Sequence, residues 1–187
     1  MYYILVHYPK IDATKIENFR RKYDLTFEVI RAHITIVFPY QDVETEEKIK
    51  HIKTVLSRWK PFEVTLEGLT KSHDHWLFLT LTKGYQKIID LYQEFYDGTV
   101  LGSGRLDIFI PHISLGGFAK KEDKSDFANY SEMHAYKEFY FDEEKYLIAL
   151  EEARSLNLVY PIKIEEFTLV ELNETFTISR DIEIIKL

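Results

Sequence analysis

The sequence predicts an α+β fold of two similar lobes, a bilobal duplicated arrangement. Two antiparallel sheets line a central cleft and the helices lie on the outside. Three observations predict it. Short segments with period-two apolar alternation are interspersed with segments whose apolar residues recur every three or four positions. The order strand, helix, strand, helix, strand occurs twice along the chain. In each copy the second strand carries the same pattern, His-Ile-Thr-Ile at 33–36 and His-Ile-Ser-Leu at 112–115.

Residues 2–8, YYILVHY, are rich in β-formers and make the opening strand. In residues 12–24, Ile16, Phe19 and Tyr23 fall on one helical face, with Asp12 or Thr14 as the cap. The second strand covers 33–38. A helix over 44–60 follows, its apolar stripe made by Ile49, Ile52, Val55, Leu56 and Trp59. Its acids come early and its bases late, as the helix dipole favours. Strands over 61–69 and 76–82 flank the polar turn KSHDH, and Pro61 suits a strand's first position. The second copy continues with a helix bounded by Gly84 and Gly98, then a strand over 108–115. A polar stretch, 120–138, precedes a helix over 143–158. Strands over 162–172 and 176–185 close the chain, pivoting at Asn173. No Gly/Ser-rich linker separates the copies, so 1–187 is read as one compact domain with sequence halves of roughly 1–75 and 76–187.

Composition excludes several function classes. Hydrophobic residues are 45% of the chain and aromatics 15%, a supply suited to a packed core. A net charge of −7 argues against broad wrapping of a nucleic-acid backbone, which needs clustered cations, but leaves room for a pocket holding one phosphate. With no cysteine there is no disulfide, thiolate nucleophile or cysteine metal site. The N-terminus has no basic segment or small-residue cleavage site, and no apolar run approaches the length of a membrane span. A cytoplasmic protein without membrane contact is expected.

The paired motifs carry the chemistry. Residues two apart in a strand point the same way, so His33 and Thr35 share a face while Ile34 and Ile36 pack on the other. His112 and Ser114 do the same against Ile113 and Leu115. If the lobes are related by a pseudo-twofold, two imidazoles and two hydroxyls surround one small volume. That set suits a tetrahedral phosphate: a neutral imidazole accepts a proton, a protonated one donates to the leaving oxygen, and hydroxyls bond the non-bridging oxygens. One His-apolar-Ser/Thr-apolar tetrad is weak evidence, since about 0.16 arise by chance in such a composition. Two at matching places in a repeat are much stronger.

These tetrads, on strands of a two-copy chain of this length, resemble the two-histidine phosphoesterase superfamily. It includes the bacterial 2′,5′ RNA ligase-like proteins and RNA 2′,3′-cyclic phosphodiesterases. The resemblance implies that His33 and His112 are the acid–base pair and that Thr35 and Ser114 bind phosphate. It also implies phosphodiester chemistry on RNA ends or small nucleotides, with neither metal nor cofactor. The 120–138 stretch exceeds its first-copy equivalent; it is read as a surface insertion, with a cover over the cleft as the alternative.

Other candidates weigh less. His73–His75 reads as a polar hairpin turn rather than a metal site, which needs more ligands than the segment offers. Arg20, Arg21 and Lys22, with Arg31, Lys83, Arg105 and Arg180, are candidate phosphate or base contacts, though solvated surfaces account for most of them. Phe38, Tyr40 and Phe118 follow the motifs and are candidate base-stacking rings, with core packing the plainer role for both Phe residues. His7, His51 and His134 read as surface or strand residues. Two further classes stay open beside the enzyme: a non-catalytic nucleotide or RNA-end binding module, and a structural domain with fortuitous histidines.

Overall fold

A computed structural model describes residues 1–41, 45–98, 100–102, 109–136 and 138–187. Its elements are β1 (Tyr2–His7), α1 (Thr14–Tyr23), β2 (Ile34–Gln41), α2 (Thr45–Leu56), β3 (Phe62–Lys71), β4 (Trp76–Lys83), α3 (Tyr85–Tyr96) and β5 (His112–Gly117). They continue as β6 (Ala119–Lys120), α4 (Tyr130–Ala135), β7 (Tyr140–Phe141), α5 (Glu143–Ser155), β8 (Tyr160–Ile164), β9 (Glu166–Leu172) and β10 (Ser179–Lys186). Among the described residues, no helix is long and apolar enough to cross a membrane.

Two four-stranded antiparallel sheets dominate, with orders β10-β9-β1-β2 and β5-β4-β3-β8; β6 and β7 form a small ribbon. This is the α+β, two-sheet architecture that the sequence predicts. Each motif strand is an edge strand beside the strand that opens its unit, β2 next to β1 and β5 next to β4. The sheets do not follow the sequence halves, however. The first is built from both ends of the chain and the second from its middle. The reason is local: β3 and β4 are joined by a short hairpin turn, so β3 must pair with its hairpin partner.

A further departure concerns the strand expected over 162–172. Glu165 breaks it, sending β8 to β3 in the second sheet and β9 to β1 in the first. The pivot at Asn173 is present as a longer turn. Asn173 Oδ1 accepts from the N–H groups of Thr177 and Ile178, at 2.8 and 3.1 Å, before β10 begins. The helix ends also shift. Ala13 is the N-cap of α1, and Asp12 accepts from the Thr14 N–H at 3.0 Å instead of capping deeper in the turn. The second helix begins at Thr45, Glu44 lying outside the described residues, and ends at Leu56; α5 ends at Ser155. Gly84, at φ +70°, supplies the left-handed turn into α3, where a Cβ would lie 2.4 Å from the Glu63 carbonyl.

The helices cross between the units. α1, which leads to the first motif strand, packs against β5, and α3, which leads to the second, packs against β2. One core cluster therefore draws on both sheets, with Ile34 and Ile36 from β2, Ile113 and Leu115 from β5, Phe19 from α1 and Leu91 from α3. The first sheet is buried on its other face too, where Ile4, Val6, Val170 and Leu172 cluster with Ile30 and Phe176. The α1–β5 contact is tight at Gly116, where an added Cβ would stand 2.6 Å from Tyr23 Cβ and 3.0 Å from its carbonyl. Gly116→Ala is therefore expected to destabilise the fold by about 1–3 kcal/mol through overpacking, measured as a lower urea midpoint. An unchanged midpoint would mean that α1 can move off β5.

Candidate active site

His33 lies one residue before β2, and His112 is the first residue of β5. The alternation places Thr35 and Ser114 on the same faces as their histidines, and all four side chains line one cavity of about 530 Å³. β2 and β5 approach each other across it. The four residues predicted from the motifs are thus brought together from two different sheets.

The two imidazoles are held alike. His33 Nδ1 bonds the carbonyl of Arg31 at 2.8 Å, and His112 Nδ1 bonds that of Ile110, in each case two residues upstream. A carbonyl only accepts, so Nδ1 carries the hydrogen and the neutral rings present the lone pair of Nε2 for chemistry. Phe78 lies flat on His112, ring centroids 3.4 Å apart and planes 18° apart, while Tyr8 meets His33 edge-on at 6.3 Å. Burial of this kind penalises the charged imidazolium and is the main reason that both pKa values fall to about 4; the carbonyl bonds oppose the fall. Among the charged neighbours, Arg20 lowers His33 further. His33 does the same to His112, which Asp74 partly offsets.

The loop entering β2 is fixed by a buried charge network. Arg20, 1% exposed, bonds Asp24 through Nε and Glu17 through Nη1, both at 2.9 Å, and its Nη2 donates to the carbonyl of Ile30 at 2.9 Å. Glu17 in turn accepts from the Ala32 N–H at 2.6 Å, next to His33. On the other side Phe38 N–H donates to the Tyr96 hydroxyl at 3.0 Å, tying β2 to α3.

Several expectations change here. Arg20 serves this internal network and is not a ligand contact. Arg31 is exposed, 3.7 Å over the Tyr8 ring and paired with Asp181, while Arg180 pairs with Glu171; neither lines the cavity. Arg105 lies outside the described residues. Phe118 is core, as expected, but Phe38 is 41% exposed and lines the cavity beside Phe109. Tyr40 stacks on Tyr3. His7 is fully buried, with Nδ1 on the Glu166 carbonyl.

The hairpin turn after β3 is a turn, as expected, yet Ser72, His73 and Asp74 also line the cavity. No group of three or more potential metal ligands occurs among the described residues. Part of the 120–138 stretch folds as α4, whose N-cap Asn129 accepts from the Glu132 N–H, and its Tyr130 joins the cavity wall. Trp76, Tyr130 and Phe176 carry no motif signal. The sequence reading missed all three, since the one signal they offer is aromatic character, shared with the other Tyr, Phe and Trp residues that make up 15% of the chain.

A family model, the 2′-5′ RNA ligase superfamily, matches residues 8–145. Solved structures share the fold at low identity. E. coli LigT in its apo form is 16% identical over 100% of this chain and 96% of that one, with a TM-score of 0.50. E. coli LigT complexed with 3′-AMP is 17% identical over 99% and 97%, at 0.52. TT0787 of Thermus thermophilus is 15% identical over 100% and 98%, at 0.51. No curated protein matches the chain.

The buried network makes its own prediction. Arg20→Met leaves the buried Asp24 carboxylate and the partly exposed Glu17 without their cation and is expected to destabilise by about 3–5 kcal/mol in urea titration. In the fraction that stays folded, loss of the nearby cation raises the His33 pKa, read as a higher NMR titration midpoint for its ring protons.

Proposed function

The chain belongs to the 2′-5′ RNA ligase superfamily, and on that premise we propose that it is a metal-independent phosphodiesterase. Its substrates would be RNA ends or small nucleotides carrying a 2′,3′-cyclic or 2′,5′ phosphodiester. The observation that carries the reading is the convergence of His33, Thr35, His112 and Ser114 on one cavity, with both Nε2 lone pairs free of the carbonyls that hold Nδ1. One imidazole removes the proton from water as its oxygen attacks phosphorus; the other, protonated, donates to the ribose oxygen as the P–O bond breaks. Thr35 and Ser114 donate to the non-bridging oxygens, where negative charge gathers. LigT is a relative whose solved complexes include 3′-AMP, ATP and NADP+, which supports a nucleotide as ligand here.

The low histidine pKa values shape the mechanism. With both near 4 in the free protein, the singly protonated pair is scarce at neutral pH. A phosphodiester anion between the rings favours the imidazolium and brings the acid into its working state. Substrate thus helps to charge the group that acts on it.

Replacing either His33 or His112 by Ala is expected to lower turnover of a 2′,3′-cyclic nucleotide by about 10²-fold or more. The far-ultraviolet circular dichroism should not change. Full activity in either variant would sink the assignment, and binding without product across a nucleotide panel would mark a binding module. Activity should persist in EDTA; its loss on chelation would point to a metal enzyme. The kcat/KM profile, which reports the free protein, should peak on the acid side and decline as pH rises above about 4, whereas kcat should peak at higher pH. Coincident optima would contradict charging by substrate.

A further inference from the structure

One wall of the cavity is unlike the rest. The turn that joins β3 and β4 puts Asp74 into it, and Trp76 follows two residues later. Trp76 contacts Tyr130 of α4, ring centroids 6.4 Å apart, and Tyr130 meets Phe176 edge-on at 6.0 Å. Three rings from distant parts of the chain thus make a continuous aromatic surface beside a carboxylate. Phe176 holds its place at a backbone cost. Its φ is +53°, the left-handed region that a bulky side chain rarely adopts, and its N–H bonds the Asn173 carbonyl at 3.0 Å. The polar turn keeps the ring there, 8% exposed in the cavity wall.

Asp74 is ionised and oriented. Burial works against its charge, but the Ser72 hydroxyl and the His75 N–H outweigh burial and keep its pKa below the usual carboxylate range. Both of those bonds go to Oδ1. Oδ2 has His75 Nδ1 at 3.7 Å, beyond hydrogen-bond range, which leaves it lone pairs for a donor from the cavity. An aromatic face binds a flat ring whatever its edge carries. An anionic acceptor in the same wall favours a ring whose edge donates hydrogen and disfavours one that presents only acceptors there.

We propose that Asp74, with the aromatic surface of Trp76, Tyr130 and Phe176, forms a base subsite selective for an amino-bearing purine such as adenine. The proposal rests on the reading that the motif residues hold a nucleotide phosphate, and it adds which base accompanies that phosphate. Asp74 acts as a specificity residue, while Tyr130 brings the 120–138 insertion into recognition.

The test compares adenosine with purine riboside, which has the same ring and sugar without the amino group. Calorimetry on the full chain should show adenosine binding about tenfold or more tightly, the scale of a hydrogen bond to a charged group. Asp74→Asn keeps the Oδ1 acceptor that the turn uses and removes the charge, so it should fold normally and shrink the gap to about twofold. Tyr130→Leu should weaken both nucleosides alike. The 2′,3′-cyclic phosphates of the same two nucleosides give a second readout. Amino-group preference in binding without turnover of either phosphate would keep the subsite and reject the phosphodiesterase. Turnover without preference would do the reverse. Absence of any amino-group preference in both readouts, or a gap unchanged in Asp74→Asn, overturns the proposal.

Discussion

Arg20 carries a full charge with 1% of its surface exposed, and the protein has to meet that charge from within. It does so with groups that belong to the path of the chain: Asp24 just past the end of α1, Glu17 one turn back, and the Ile30 carbonyl in the loop that enters β2. Glu17 extends the network to the Ala32 N–H. The same helix lies against β5, where Tyr23 fits over Gly116. One helix therefore fixes the entry to one motif strand by hydrogen bonding and abuts the other by close packing. The relative placement of the two histidines depends on it.

With the strands so placed, the cavity's character follows from simple rules. Period-two alternation commits Ile34, Ile36, Ile113 and Leu115 to the core, which leaves His33, Thr35, His112 and Ser114 facing the cleft. Edge positions matter as much. An edge strand has one side without a partner in its own sheet, and β2 and β5, the edge strands of two different sheets, come into contact with each other. Carbonyls two residues upstream set both tautomers alike, while different rings enclose the two sides, Phe78 face-on to His112 and Tyr8 edge-on to His33. The cavity is thus symmetric in how its two imidazoles are held and asymmetric in their surroundings. Asp74 stands near one histidine and Arg20 near the other.

The departures from sequence expectation share a physical cause, which is that they depend on contacts between distant segments. A strand running from 162 to 172 looks continuous in its residues, yet its two parts pair with different sheets. Nothing local at Glu165 announces the change. Phe38 has the composition of a core residue but sits where the sheet edge meets the cavity. Arg20 resembled its neighbour Arg21, and only the fold distinguishes a buried guanidinium from a solvated one. KSHDH was legible as a turn from its polar residues; its Asp74 belongs to the site because the β3–β4 hairpin ends at the cavity.

Read alone, the sequence determined the helices and strands, the repeated order and the two histidine tetrads. All of these follow from local periodicity and backbone propensity. It also determined which faces of the motif strands turn inward, because alternation leaves no other choice once the isoleucines are buried. Only the tertiary structure decided that the sheets exchange strands, that α1 braces both motif strands, and that Asp74, Trp76, Tyr130 and Phe176 share a wall with the histidines. Those relations hold between residues far apart in the chain, set by packing and by the need to pair buried charge, and no window of sequence contains them.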